Sequence, residues 1–79
     1  MTVRPLHEIA EEIVADWYPN IWFGAEPYVR AMLELDSIND NYDEDSARTV
    51  VSYFLGNAKT WRGETARRIK AELRALLGR

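Results

Sequence analysis

Apolar side chains return at Leu6, Ile9, Ala10, Ile13 and Trp17, with Glu8, Glu11, Glu12 and Asp16 falling opposite them. This is the i, i+3, i+4, i+7, i+11 spacing of one helical face. Pro5 suits a first turn, where its missing N–H would have had no partner anyway. The pattern predicts a helix over residues 5–17 with an acidic outer face. Glu8/Glu12 and Glu12/Asp16 are like charges at i, i+4, a cost of a few tenths of a kcal/mol per pair that calls for cations from elsewhere in the chain.

Pro19 breaks this helix, because it removes a donor and disfavours helical geometry at Tyr18. Trp17, Tyr18, Trp22 and Phe23 crowd into seven residues there. They are either a plug that closes one end of the core, the simpler reading for so small a chain, or an exposed contact for a partner protein. Pro27 then opens a second helix, 26–36, apolar over so much of its circumference that a central, buried position is expected. The stretch from Ser37 to Asp45 is rich in Asn and Asp, which bond their own backbone in turns. As a calcium loop starting at Asn39 it fails, with Glu44 where glycine is needed and Val50 where an acid is needed. It reads instead as a solvated turn in which Asp43 or Asp45 caps the following helix.

A third helix is predicted over 44–58 from Ala47, Val50, Val51, Phe54 and Ala58. The β-branched and aromatic run from Thr49 to Leu55 could also be a strand, but the helical spacing continues past it and no partner strand is apparent. Ser52 and Gly56, four apart, could admit another helix closely. The last helix is predicted over 61–77, with Thr60 as N-cap, Trp61, Thr65, Ile69, Leu73 and Leu76 on one face, and Gly78 as the left-handed stop. The expected fold is therefore all-α, a compact bundle of about four short helices in a single domain, 1–79, with the second and third helices most buried and neighbours antiparallel.

A chain of 79 residues buries only about 60% of the surface its unfolded form exposes, so each large apolar side chain matters. There is no cysteine, which excludes disulfides and thiolate metal sites. No apolar run is long enough for a membrane span and no signal-peptide layout begins the chain, so a cytoplasmic protein without membrane contact is expected. The net charge of −3 divides unevenly. Residues 1–45 carry eleven acids against Arg4 and Arg30, a balance of −9, and residues 46–79 carry eight bases against Glu64 and Glu72, a balance of +6. Opposite signs can hold the halves of one domain together or steer an anionic partner to the basic half. Glu64/Arg68 and Arg68/Glu72 can pair at i, i+4, whereas Arg67, Lys70 and Arg74 form a stripe without such partners. That stripe either lies against Glu8, Glu11, Glu12 and Asp16 of a neighbouring antiparallel helix or, with Arg62, contacts an anionic partner in a helix-turn-helix arrangement.

No constellation for catalysis emerges. His7 is the only histidine, and it lies on the polar side of the first helix with nothing to help it hold a metal. Gly56-Asn57-Ala58-Lys59-Thr60 faintly echoes the end of a phosphate loop, but Ala58 replaces the glycine before the lysine and a helix precedes it. The reading is of a non-enzymatic protein with no cofactor.

Leu35-Asp36-Ser37-Ile38 and, above all, Tyr53-Phe54-Leu55-Gly56-Asn57-Ala58-Lys59-Thr60-Trp61-Arg62-Gly63-Glu64-Thr65-Ala66 resemble a group of small helical proteins encoded by mycobacteriophages and other actinobacteriophages. Ile13-Val14-Ala15-Asp16-Trp17 and Pro27-Tyr28 fit the same group, so the likeness covers nearly the whole chain. It implies a phage product in the cytoplasm of an actinobacterial host, and it carries over no catalytic or binding residue. The expected function is binding to a host or phage protein, with Trp17, Tyr18, Trp22 and Phe23 as candidate contacts and a homodimer as a further possibility. The alternative is a nucleic-acid-binding regulator using Arg62, Arg67, Lys70 and Arg74.

Overall fold

A computed structural model describes residues 3–42 and 44–78 of the chain. The first helix, α1 (Leu6–Trp17), has no side-chain cap at Pro5. Its first free N–H groups are satisfied from a distance instead. Leu6 N donates to the Asp36 carbonyl at 2.9 Å and His7 N to the Leu35 carbonyl at 2.8 Å. This explains why α2 (Glu26–Met32) stops short of the predicted residue 36. After Met32 the chain tightens into i→i+3 turns, and Asp40 Oδ2 accepts from the N–H groups of Asp36 and Ser37 at 3.1 and 2.9 Å. The backbone at 35–36 is thereby turned toward α1, where its carbonyls fill positions that an N-cap side chain would otherwise serve.

The turn-rich segment is more ordered than a solvated loop, and the fold is mostly helical without being purely all-α. β1 (Asn41–Tyr42) pairs antiparallel with β2 (Asp45–Ser46), Asn41 opposite Ser46 and Tyr42 opposite Asp45. The ribbon extends to Ala47 N, which donates to the Asp40 carbonyl at 2.8 Å. Pairing two residues on each side is too little to stand alone, and it is held because β2 runs straight into α3 (Ala47–Gly56). Ser46, rather than Asp45, caps α3: its Oγ accepts from Thr49 N at 3.1 Å. Asp43, the other suggested cap, lies outside the described residues. The run from Thr49 to Leu55 is helical throughout, since Ala47, Val50, Val51 and Phe54 all reach the core on one helical face.

α4 (Glu64–Leu76) begins three residues later than the pattern predicts. Its N-cap is Gly63 at φ +112°, a conformation that glycine alone adopts without strain, not Thr60. The cause is Trp61. Its ring enters the core between α1 and α3, stacking on Trp17 with centroids 5.4 Å apart and planes 13° apart, and meeting Phe54 edge-on at 6.2 Å. Trp17 also meets Phe54 edge-on at 6.3 Å. A residue whose side chain points inward from a loop cannot also begin a surface helix, so the chain reverses at Gly63 before α4 starts.

α2 packs against both α1 and α3, in keeping with a central place, and α4 packs chiefly on α1. α1 is buried as deeply as α3, with Leu6, Ile9, Ala10 and Ile13 all inaccessible. Contacts between residues 4 and 72, 12 and 68, and 16 and 61 run in opposite directions along the chain, so α1 and α4 are antiparallel.

Trp61→Ala should cost about 3–5 kcal/mol, enough to leave a domain of this size largely unfolded in urea titrations followed by circular dichroism. Gly63→Ala should lower stability by about 1–3 kcal/mol because of its positive φ. Gly56 lies in the last turn of α3 with open space where a Cβ would project, so Gly56→Ala should raise stability by about 0.5–1 kcal/mol in the same assay.

Candidate functional site

The four clustered aromatics separate into core and surface. Trp17 is 5% exposed and belongs to the core stack, so it is not available as a contact. Tyr18, Trp22 and Phe23 face outward, at 71%, 44% and 75% exposure. Only one of the four therefore serves as the plug, because Pro19 and the loop that follows carry the other three past the end of α1.

This outward edge is built rather than loose. The Trp22 carbonyl accepts from Ala25 N at 2.8 Å and Glu26 N at 3.2 Å, which ties the loop to the start of α2. The Trp22 and Phe23 rings lie 4.2 Å apart, tilted by 50°. Gly24 makes that packing possible: a Cβ there would stand 2.6 Å from Trp22 Nε1 and 3.0 Å from Asn57 Oδ1. The Trp22 indole thus folds back over its own turn toward the end of α3, and remains half-exposed beside the more exposed Phe23 ring.

A second aromatic group was not singled out by the pattern of the chain. Tyr28 of α2 meets Tyr53 of α3 edge-on at 5.6 Å, with planes 69° apart, and Tyr53 is exposed. The signal for it exists in the helical phase. With Val50, Val51 and Phe54 facing inward, Thr49 and Tyr53 must share the outer side of α3, one turn apart.

The basic residues also divide, along a line different from the predicted one. Arg68, not Arg67, reaches α1, where it pairs with Glu12. Arg4 bridges Glu12 at 2.9 Å and Glu72 at 2.7 Å, tying the acidic half to itself and to α4. The i, i+4 pairs expected within α4 are thus replaced by pairs across the α1/α4 seam. Asp16 accepts from Trp61 Nε1 at 2.8 Å. Lys70 turns inward, donating to the Trp61 carbonyl at 2.7 Å with its ammonium 6.0 Å from the Trp61 ring centroid. Burial lowers the Lys70 pKa, and the nearby Arg74 and Arg62 lower it further. Arg74 and Arg62 therefore both lie within electrostatic reach of Lys70. Among the described residues, Arg62, Arg67 and Arg74 have no ion-pair partner.

His7 Nε2 lies 3.2 Å from Asp36 Oδ1 at the surface. Among the described residues, no group of three His, Cys, Asp or Glu side chains is placed to hold a metal, and no helix is long and apolar enough to cross a membrane. No protein-family model, curated protein or solved structure matches the chain.

Hydrogen bonds from Arg68 and then Arg4 hold the Glu12 carboxyl below its ordinary pKa. A depressed carboxylate stabilises the fold above its unfolded pKa and ceases to do so as pH falls through the folded value. Stability measured by urea unfolding should therefore hold from neutrality to about pH 5 and decline below about pH 4. Glu12→Gln should flatten that decline while removing about 0.5–1 kcal/mol at neutral pH, a modest amount because the pair is partly solvated.

Proposed function

We propose that this chain is a non-enzymatic protein–protein interaction module that engages its partner through the edge formed by Tyr18, Trp22 and Phe23, and that it acts on a host or phage protein in the cytoplasm of an actinobacterial cell. The observation that carries the reading is the Trp22–Phe23 pair, ring against ring and exposed, on a turn anchored to α2. A small domain has few large side chains to spare from its core. Three aromatics left in solvent by an ordered turn are the kind of rigid, amphipathic anchors that dominate binding energy when a partner covers them. The resemblance to small actinobacteriophage proteins supplies the cellular setting.

A second reading, nucleic-acid binding through the basic face, is favoured by Arg62, Arg67 and Arg74, exposed cations without carboxylate partners among the described residues. It is weakened because Arg68 and Lys70 are engaged within the fold. The connection from Asn57 to Gly63 is also about twice the length of a helix-turn-helix turn. A third reading is self-association through Ser52 and Gly56, one turn apart on α3, where Gly56 leaves open space.

A tagged pull-down from actinobacterial lysate, run with and without nuclease, should recover one protein near stoichiometry in both lanes. Trp22→Ala and Phe23→Ala should each weaken its capture about tenfold or more while shifting the thermal midpoint by only a few degrees. Loss of the bound material on nuclease treatment, with affinity falling steeply as salt rises, would assign binding to the basic face instead.

A further inference from the structure

Between α2, α3 and the β-ribbon lies a depression of about 150 Å³, comparable to an engineered cavity of about 150 Å³ that accepts one benzene ring. Tyr28, Tyr42 and Tyr53 line it, together with Pro27 and the exposed Asp45. Tyr28 and Tyr53 meet edge-on and so form two sides of a corner. Tyr42 is steadied by its hydroxyl, which donates to Glu34 Oε2 at 3.3 Å, and this places a second carboxylate beside the same ring. Among the described residues, no lysine or arginine lines the depression.

Aromatic faces carry negative quadrupole potential, and a cation placed over them is attracted. The Asp45 carboxylate in the lining adds a charged acceptor. The combination disfavours an anionic occupant and gives a purely apolar one nothing to match at Asp45. Among cations, the planar guanidinium fits best, because it stacks on a ring and offers a fork of donors to a carboxylate, whereas an ammonium is a compact, strongly hydrated point charge. We infer that this depression receives an arginine side chain of the partner. The inference rests on the interaction reading above and specifies the partner's chemistry: a segment that covers the Trp22–Phe23 edge and presents an arginine to the tyrosine corner.

The test uses the full-length, isotopically labelled chain and follows its backbone amide resonances during addition of the blocked tripeptide glycyl-arginyl-glycine. Parallel titrations use the lysine, leucine and citrulline counterparts, citrulline having nearly the shape of arginine without its charge. The arginine peptide should shift the amides of Ala31, Asp45, Thr49 and Tyr53, with a Kd of about 1–10 mM. The citrulline and leucine peptides should not. Asp45→Asn and Tyr53→Ala change exposed side chains, leave the fold intact in the same spectra, and should each weaken binding about fivefold. Equal response to lysine overturns the choice of arginine, and equal response to citrulline or leucine overturns cation recognition. Shifts confined to Trp22 and Phe23 overturn this site while leaving the aromatic-edge reading intact. Shifts at the tyrosine corner, together with unchanged partner capture by Trp22→Ala, would support the site and remove the edge.

Discussion

The packing of Trp61 against both Trp17 and Phe54, which also touch each other, is the contact on which the rest of this structure depends. Three large rings from α1, α3 and the loop before α4 meet at one point, so three segments distant in sequence are fixed by a single packing event. Each ring buries a large area, and paired aromatics gain a further increment from their stacked and edge-on geometry. In a chain without disulfides, that concentration of buried area is how a small core becomes sufficient. The Trp61 N–H is not stranded by burial, since Asp16 accepts from it, and the Trp61 carbonyl is taken by Lys70. The polar atoms at both ends of the residue are thus satisfied by side chains of the two helices it joins.

The position of Trp61 determines much of what surrounds it. It delays α4 to Glu64, makes a positive-φ glycine necessary at Gly63, and draws one of the three stripe cations inward. It also sets α4 antiparallel on α1, where Arg4, Glu12, Arg68 and Glu72 neutralise one another. The charge asymmetry of the chain is therefore partly consumed inside the fold. The aromatic turn at the far end of α1 is left outside because Trp17 already occupies the core position that it could have filled.

Much of the helical architecture was legible in the sequence, since the apolar spacing of α1 and the helical phase of α3 continue beyond any strand-like run. Element ends were less so, and for one reason: they are set by contacts distant in sequence. Nothing near Pro5 shows that the carbonyls of Leu35 and Asp36 will cap α1, and for the same reason nothing near Met32 shows that α2 must stop there. The apolar spacing makes Trp61 appear to lie on the face of a helix, and only the stack with Trp17 reveals it as a loop residue. The basic stripe was visible as a pattern, but which of its members would be engaged was not. Arg68 and Arg67 are neighbours in sequence, and the rotation of α4 against α1 decides between them. The tyrosine corner is not legible in the sequence because Tyr28 lies on α2 and Tyr53 on α3, and only the packing of those helices brings them together.

The division of the tryptophans, Trp17 and Trp61 buried and Trp22 exposed, underlies both the stability of the fold and the proposed contact edge. It can be tested without altering the fold by incorporating 5-fluorotryptophan at the three tryptophan positions and recording fluorine spectra while a soluble nitroxide is added. The Trp22 resonance should broaden while those of Trp17 and Trp61 stay sharp. Broadening of the Trp17 or Trp61 signal to the same extent, or protection of all three, would contradict it.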